Sequence, residues 1–197
     1  MVVLPSTALA YTARATVSGL LLSAYLIFAC RREKPAVSSV LWGLGAGMLV
    51  CALWIWPEHF EAYRKFCVIG DLAQVEATAS PYDPVVCGWA LTIAKLLGSA
   101  FIIAPAEELF FRSFLYRWIQ GGESSGARID QFDISAFLWT VVLFALEHNR
   151  WLAGAMAGAI YGILAIRKGL FSAIVAHIVT NLALGAYVIL RGEWAFW

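Results

Sequence analysis

Apolar residues run along this chain in long blocks, and polar residues are confined to short stretches between them. A helix needs about 20 apolar residues to cross the hydrocarbon core of a bilayer. Residues 7–30 meet this, broken only by Arg14, and read as a membrane span rather than a cleaved leader. Residues 36–56 form a second block that closes in Trp54 and Trp56, aromatic residues suited to a membrane interface. Residues 57–84 are the one long polar stretch, expected to be an extramembrane loop with an amphipathic helix near 58–68. A third span is expected over 85–104, running helically through Pro105 into 106–119 despite the charges there. After a polar loop at 121–133, residues 134–147 are apolar but short, which suits a re-entrant or core helix. Residues 151–166 and 170–190 are expected as the last two spans.

The pattern predicts an all-α fold, a polytopic transmembrane bundle of six to seven helices with one of them short or re-entrant. Residues 1–197 form a single integral membrane domain, with core helices over 85–190. Composition agrees: 61% of the 197 residues are hydrophobic and 14% charged. A soluble domain is about half apolar and a quarter charged, and could not hide this much apolar surface at this size. Disorder is excluded on the same ground. The net charge of +1 and the lack of a basic tract point away from nucleic acid. Cys30, Cys51, Cys67 and Cys87 form no CxxC pair; Cys67 and Cys87 flank the polar loop and are expected as free thiols. Arg31, Arg32, Lys34, Arg117, Arg128, Arg167 and Lys168 outnumber the basic residues of the opposite loops. Their side is therefore expected to be cytoplasmic and the 57–84 loop external. Gly154, Gly158 and Gly162 repeat every four residues, a stripe that lets two helices approach closely in lipid.

Against this apolar background the rare polar groups are gathered. Of 13 acidic residues, Glu107, Glu108 and Glu147 lie in or at the edge of apolar segments. His148 and His177 sit at the end of, or inside, apolar helices, and Asn149 and Asn181 beside them are the chain's two asparagines. Ionisable groups at membrane depth are costly, so each is a functional candidate. Glu108 and Arg112 are four residues apart and share a helix face as an ion pair, whereas Glu107 points about 100° away. His177 and Asn181 share a face in the same way. One carboxylate with a histidine can take a proton from water, and a histidine with an asparagine can donate to a developing oxyanion. Together they suit peptide hydrolysis without a serine or cysteine nucleophile. HExxH, GxSxG and P-loop patterns are absent.

Three elements in this order, EExxxR (Glu107, Glu108, Arg112), FxxxH (Phe144, His148) and HxxxN (His177, Asn181), resemble the CPBP/Abi family of intramembrane proteases. That family includes the eukaryotic Ras-converting CAAX endoprotease. The resemblance covers about residues 85–190 and implies a helical membrane endopeptidase. It implies Glu107 as the water-activating base, His148 as its assistant, His177 and Asn181 as the oxyanion site, and Glu108–Arg112 as structural. PAEELFFRSFLYRW, ALEHNRWLAGA, AHIVTNL and the aromatic ending Glu193-Trp194-Ala195-Phe196-Trp197 are similar to a bacterial CAAX-protease-related subgroup associated with exosortase systems. This implies a bacterial inner membrane, a link to exosortase-dependent sorting, and a peptide or membrane-protein substrate that is not a prenylated CaaX protein. No cofactor is expected. The alternatives are a zinc site on His148, His177 and a glutamate, a non-catalytic scaffold or immunity protein, and a small transporter with Glu107, His148 and His177 as a proton relay. No inverted repeat supports the last.

Overall fold

The computed structural model describes residue 10 and residues 13–19, 36–68, 80–121 and 126–197, and every regular element among them is helical. The expected first span lies mostly outside the described residues; residues 10 and 13–19 of it are helical. Helix α1, Val37–Ile55, occupies the second apolar block and passes into a 3₁₀ turn at Trp56–His59. The polar stretch then forms α2, Glu61–Cys67, where an amphipathic helix was expected.

The third block divides. A single turn, α3, Pro84–Cys87, starts on Asp83, whose carboxylate accepts the Val85 N–H at 2.8 Å. Gly88 then takes φ +79, open to glycine and strained for other residues. The long helix α4 therefore begins at Trp89 rather than residue 85, and runs to Ile119 over 31 residues. After the polar loop, Asp133 caps α5, Ile134–Leu146, by accepting the Ala136 N–H at 2.8 Å. Tyr116 of α4 holds this entry: its hydroxyl donates to Gln131 O at 3.1 Å and accepts the Asp133 N–H at 2.9 Å. Helices α6, Trp151–Lys168, and α7, Leu170–Arg191, meet at Gly169.

Val37–His59, Trp89–Ile119 and Leu170–Arg191 are long and apolar enough to cross a membrane. Their outward faces carry exposed Leu41, Met48, Phe101, Phe110 and Phe171, as lipid contact requires. This is the build of a multi-pass membrane protein. Helix α6, also expected as a span, is not among the three, because its glycines and terminal Arg167-Lys168 lower its mean hydropathy. It buries Ala153, Ala157, Tyr161 and Ala165 against neighbouring helices rather than offering a broad face to lipid.

Small residues set the spacing, as the stripe predicted. A Cβ on Gly158 would stand 3.2 Å from Phe144 Cδ1, and one on Gly162 3.0 Å from Phe137 Cε2, so the stripe seats α6 on α5. A second such contact went unread in the sequence. A Cβ on Gly43 would lie 2.7 Å from Val175, and one on Gly47 2.5 Å from Ala176 O, so α1 and α7 approach almost backbone to backbone. They form the most extensive helix pair. The core centres on Val50, Phe111, Phe144, Tyr161 and Ala176.

The helix ends fall into two groups. At one, Ser39 Oγ donates to Lys168 O at 3.3 Å. At the other, Arg150 pairs with Glu58 at 2.6 Å, and Trp151 Nε1 donates to Phe66 O at 3.1 Å. The α5–α6 hairpin enters and leaves at the first end, and its tip reaches the second. It does not stop partway, as a re-entrant segment would; 13 residues of helix, about 20 Å, and a four-residue turn make up the distance.

Candidate active site

Helix α4 carries the two glutamates, and it is not regular. Wide π turns at Ser99–Ile103 and Leu109–Leu115 flank a short α-helical piece, Ala104–Glu108. Pro105 explains the first. Proline has no N–H for the preceding turn, and its ring pushes a carbonyl there aside. One extra residue in the turn relieves the clash, a device frequent at functional sites. The Ala104 N–H then reaches Ser99 O, and that same carbonyl accepts the Asn181 Nδ2–H at 3.0 Å. The irregular backbone thus anchors one of the residues singled out by the sequence.

The expected Glu108–Arg112 pair is present and larger than expected. Arg112 Nη1 lies 3.3 Å from Glu108 Oε1, Nη2 donates to Gly158 O at 3.0 Å, and the guanidinium covers the Phe144 ring at 4.5 Å. His177 joins from α7, its Nδ1 3.0 Å from the same Glu108 oxygen. Glu108 is therefore shared between Arg112 and His177. It is closed off from the cavity, with 0% side-chain exposure. Glu107, one residue earlier, is different. Its side chain is 24% exposed, lines a cavity of about 180 Å³, and places Oε2 3.8 Å from His177 Nε2.

His148 lines the same cavity from the turn after α5. Its Nδ1 stands 2.7 Å from Phe144 O. A carbonyl only accepts, so Nδ1 carries the proton and Nε2 is left with a lone pair. Trp54 of α1 meets the ring edge-on at 5.3 Å. Glu107, His148, His177 and Asn181 thus converge on one cavity from three parts of the chain. His177 and Asn181 both reach α4, as their four-residue spacing requires.

Other contributors were missed. Tyr161 stacks on His177 at 4.8 Å and 25°, and its hydroxyl donates to Thr180 Oγ1 at 2.7 Å. Thr180 in turn donates toward Gly47 O and Ala176 O, both at 3.0 Å. This chain of contacts fixes the ring of His177 against α6, α7 and α1. Its one sequence signal was a tyrosine hydroxyl in a helix of glycine and alanine. Lys95 and Ser99 also line the cavity, four residues apart on α4.

At the second end of the bundle, Arg150 and Glu58 are 10% and 13% exposed. Tyr63 of α2 packs beside them, and burial together with the Glu58 charge pushes its phenol up to about 12, keeping it neutral next to that carboxylate. Among the described residues Cys51, Cys67 and Cys87 are free thiols.

Each histidine keeps one ring nitrogen toward the cavity, because His177 Nδ1 is engaged by Glu108 and His148 Nδ1 by Phe144 O. Both ring nitrogens of His177 face carboxylates. Among the described residues no three His, Cys, Asp or Glu side chains are grouped as a metal site requires.

Searches among curated proteins and among solved structures find no match to the chain. Residues 89–183, just under half of the chain, match the family model described as type II CAAX prenyl endopeptidase Rce1-like. That stretch contains Glu107, Glu108, Arg112, His148, His177 and Asn181, so the part of the chain that brings one carboxylate, two histidines and an asparagine to the cavity is the part similar to a family of endopeptidases.

Proposed function

We propose that this chain is an intramembrane endopeptidase of the CPBP/Abi type, which hydrolyses a peptide bond with an activated water and no metal. The observation that carries this reading is the unequal placing of adjacent glutamates: Glu108 is sealed between Arg112 and His177, while Glu107 opens onto the cavity that His148 and Asn181 share. In this reading Glu107 takes a proton from water, and His148 Nε2, an acceptor, holds the same water. The hydroxide adds to the scissile carbonyl carbon. Asn181 has a second amide N–H beyond the one given to Ser99 O, and it donates to the oxyanion that forms. His177 is held through Nδ1 against Glu108 and turns Nε2 toward Glu107 and the cavity, beside the Asn181 amide. The proton held by Glu107 then passes to the leaving amine.

The substrate is a peptide or membrane protein, and the setting is a bacterial inner membrane with a functional link to an exosortase system. Three things support this reading: the order of the motifs, the family match over 89–183, and the similarity of the flanking sequences to that bacterial subgroup. The test is cleavage of quenched fluorescent peptides by purified protein in lipid nanodiscs, before and after dialysis against a strong chelator. Cleavage should be lost in Glu107→Gln and survive chelation. Activity that chelation removes and zinc alone restores would overturn the metal-free mechanism.

A further inference from the structure

The cavity has two unlike ends. Glu107, His177 and Asn181 make one of them polar. Along α7 the wall runs on from His177 to Leu184, seven residues or about 10 Å of helix. At that outer end the chain closes the cavity on itself. Gly192, at φ +70, ends α7 in the left-handed conformation, and the Gly192 and Glu193 N–H groups both bond Val188 O. The chain turns back in a 3₁₀ turn, Trp194–Phe196, and Phe196 and Trp197 line the cavity opposite Trp54 and Leu184.

This returning segment is held at defined points. Arg150 Nη1 donates to Ala195 O at 3.1 Å, and its guanidinium covers the Phe196 ring at 4.4 Å. Phe196 meets Tyr187 edge-on at 5.8 Å. Arg150 is itself fixed by Glu58 at 2.6 Å. Room for the indole comes from Gly185, where a Cβ would stand 2.9 Å from Trp197 Cζ2. The cavity volume is about 180 Å³, and it is partly open to the outside. An apolar cavity of about 150 Å³ takes one benzene, so beyond the reacting amide there is space for little more than one slender side chain.

We propose that Phe196 and Trp197 are specificity-determining residues. They form the outer wall of the substrate cavity and restrict it to peptides with a slender side chain at the end away from Glu107. This rests on the endopeptidase reading, because it takes the cavity's occupant to be a peptide. Arg150 acts as the positioning residue that keeps the wall seated.

The experiment uses the full chain in nanodiscs and a peptide set that differs only in Ala, Val, Leu, Phe or Trp at successive positions on either side of the scissile bond. For the parent, kcat/KM should fall at least 10-fold from Val to Trp at one position. In the Phe196→Ala/Trp197→Ala double variant that ratio should shrink by 10-fold or more. An unchanged ratio would overturn the proposal. The same peptides are also titrated against Glu107→Gln, with and without the double substitution, by fluorescence anisotropy. If the parent cleaves no peptide but the Kd ratio shifts as described, the endopeptidase reading fails and the wall stands. If cleavage occurs and neither ratio moves, the wall fails alone. Should the double variant not fold, Trp197→Leu serves, with a shift of about threefold expected and no shift counting against the proposal.

Discussion

Glu108–Arg112 and Glu58–Arg150 are both arginine–glutamate pairs, and they do opposite kinds of work. The first lies between residues of one helix, and is fully buried in the centre of the bundle. Its charges are over-committed: one Glu108 oxygen serves both Arg112 and His177, while Oε2 is buried with no hydrogen-bond partner. The second joins residues 92 apart, at the ends of helices, with some solvent contact at both side chains. It ties the polar segment after α1 to the tip of the α5–α6 hairpin and to the segment that closes the cavity. An ion pair in low dielectric is costly to assemble and costlier to break, and it persists where it holds a functional group in place. The Glu58–Arg150 pair keeps only slight solvent contact, but it joins distant segments at the helix ends and acts as a fastener. The inner pair thus orients His177, and the outer pair orients a wall.

That contrast can be broken in four ways, from the largest expected effect to the smallest. Glu107→Gln keeps shape and removes only the proposed base, so cleavage should fall by about 10²–10⁴-fold with thermal unfolding unchanged. If it stays active while Glu108→Gln is inactive and stable, the roles of the two glutamates are reversed. Glu108→Gln leaves Arg112 buried beside a neutral amide, which typically costs about 3–5 kcal/mol; yield and unfolding temperature should drop sharply. Glu58→Gln should cost only about 1–2 kcal/mol, since Arg150 keeps Ala195 O and the Phe196 ring. An equal loss in both variants would erase the distinction. The finest test is salt. Between 0.15 and 1 M the Debye length falls from about 8 to 3 Å, so the penalty of Glu58→Gln should shrink by a few tenths of a kcal/mol. That of Glu108→Gln should not move.

The two pairs also differ in how far the sequence announces them. Helical spacing alone puts Arg112 over Glu108, and the length of each apolar block places α1, α4 and α7. The stripe Gly154, Gly158, Gly162 fixes which face of α6 meets α5. All of these are local regularities, written within a few turns of helix. His177 meeting Glu108 across 69 residues, and Arg150 meeting Glu58 across 92, depend on how helices dock, and no period in the sequence encodes that. The π turns of α4 lie between these cases. Pro105 marks the disturbance, but only the packed neighbours show that Ser99 O receives Asn181 as well as the Ala104 N–H. The start of α4 was misplaced by four residues because Asp83 and Gly88 together make a separate turn inside an apolar run.

Helix α5 has a consequence for the lipid around it. Its 13 residues span about 20 Å, against about 30 Å for a typical hydrocarbon core. It shows lipid an apolar face with Leu138, Val142 and Leu143, then ends abruptly in exposed Glu147 and Asn149. Immersing those two in hydrocarbon is expensive, and deforming a bilayer by a few ångströms costs fractions of a kcal/mol per ångström. Keeping both groups hydrated requires headgroups or water to reach the α5 tip, the turn that also carries His148. The length of α5 thus decides how close bulk water comes to the cavity that His148 lines. On the endopeptidase reading proposed above, that access to water matters as much as the base.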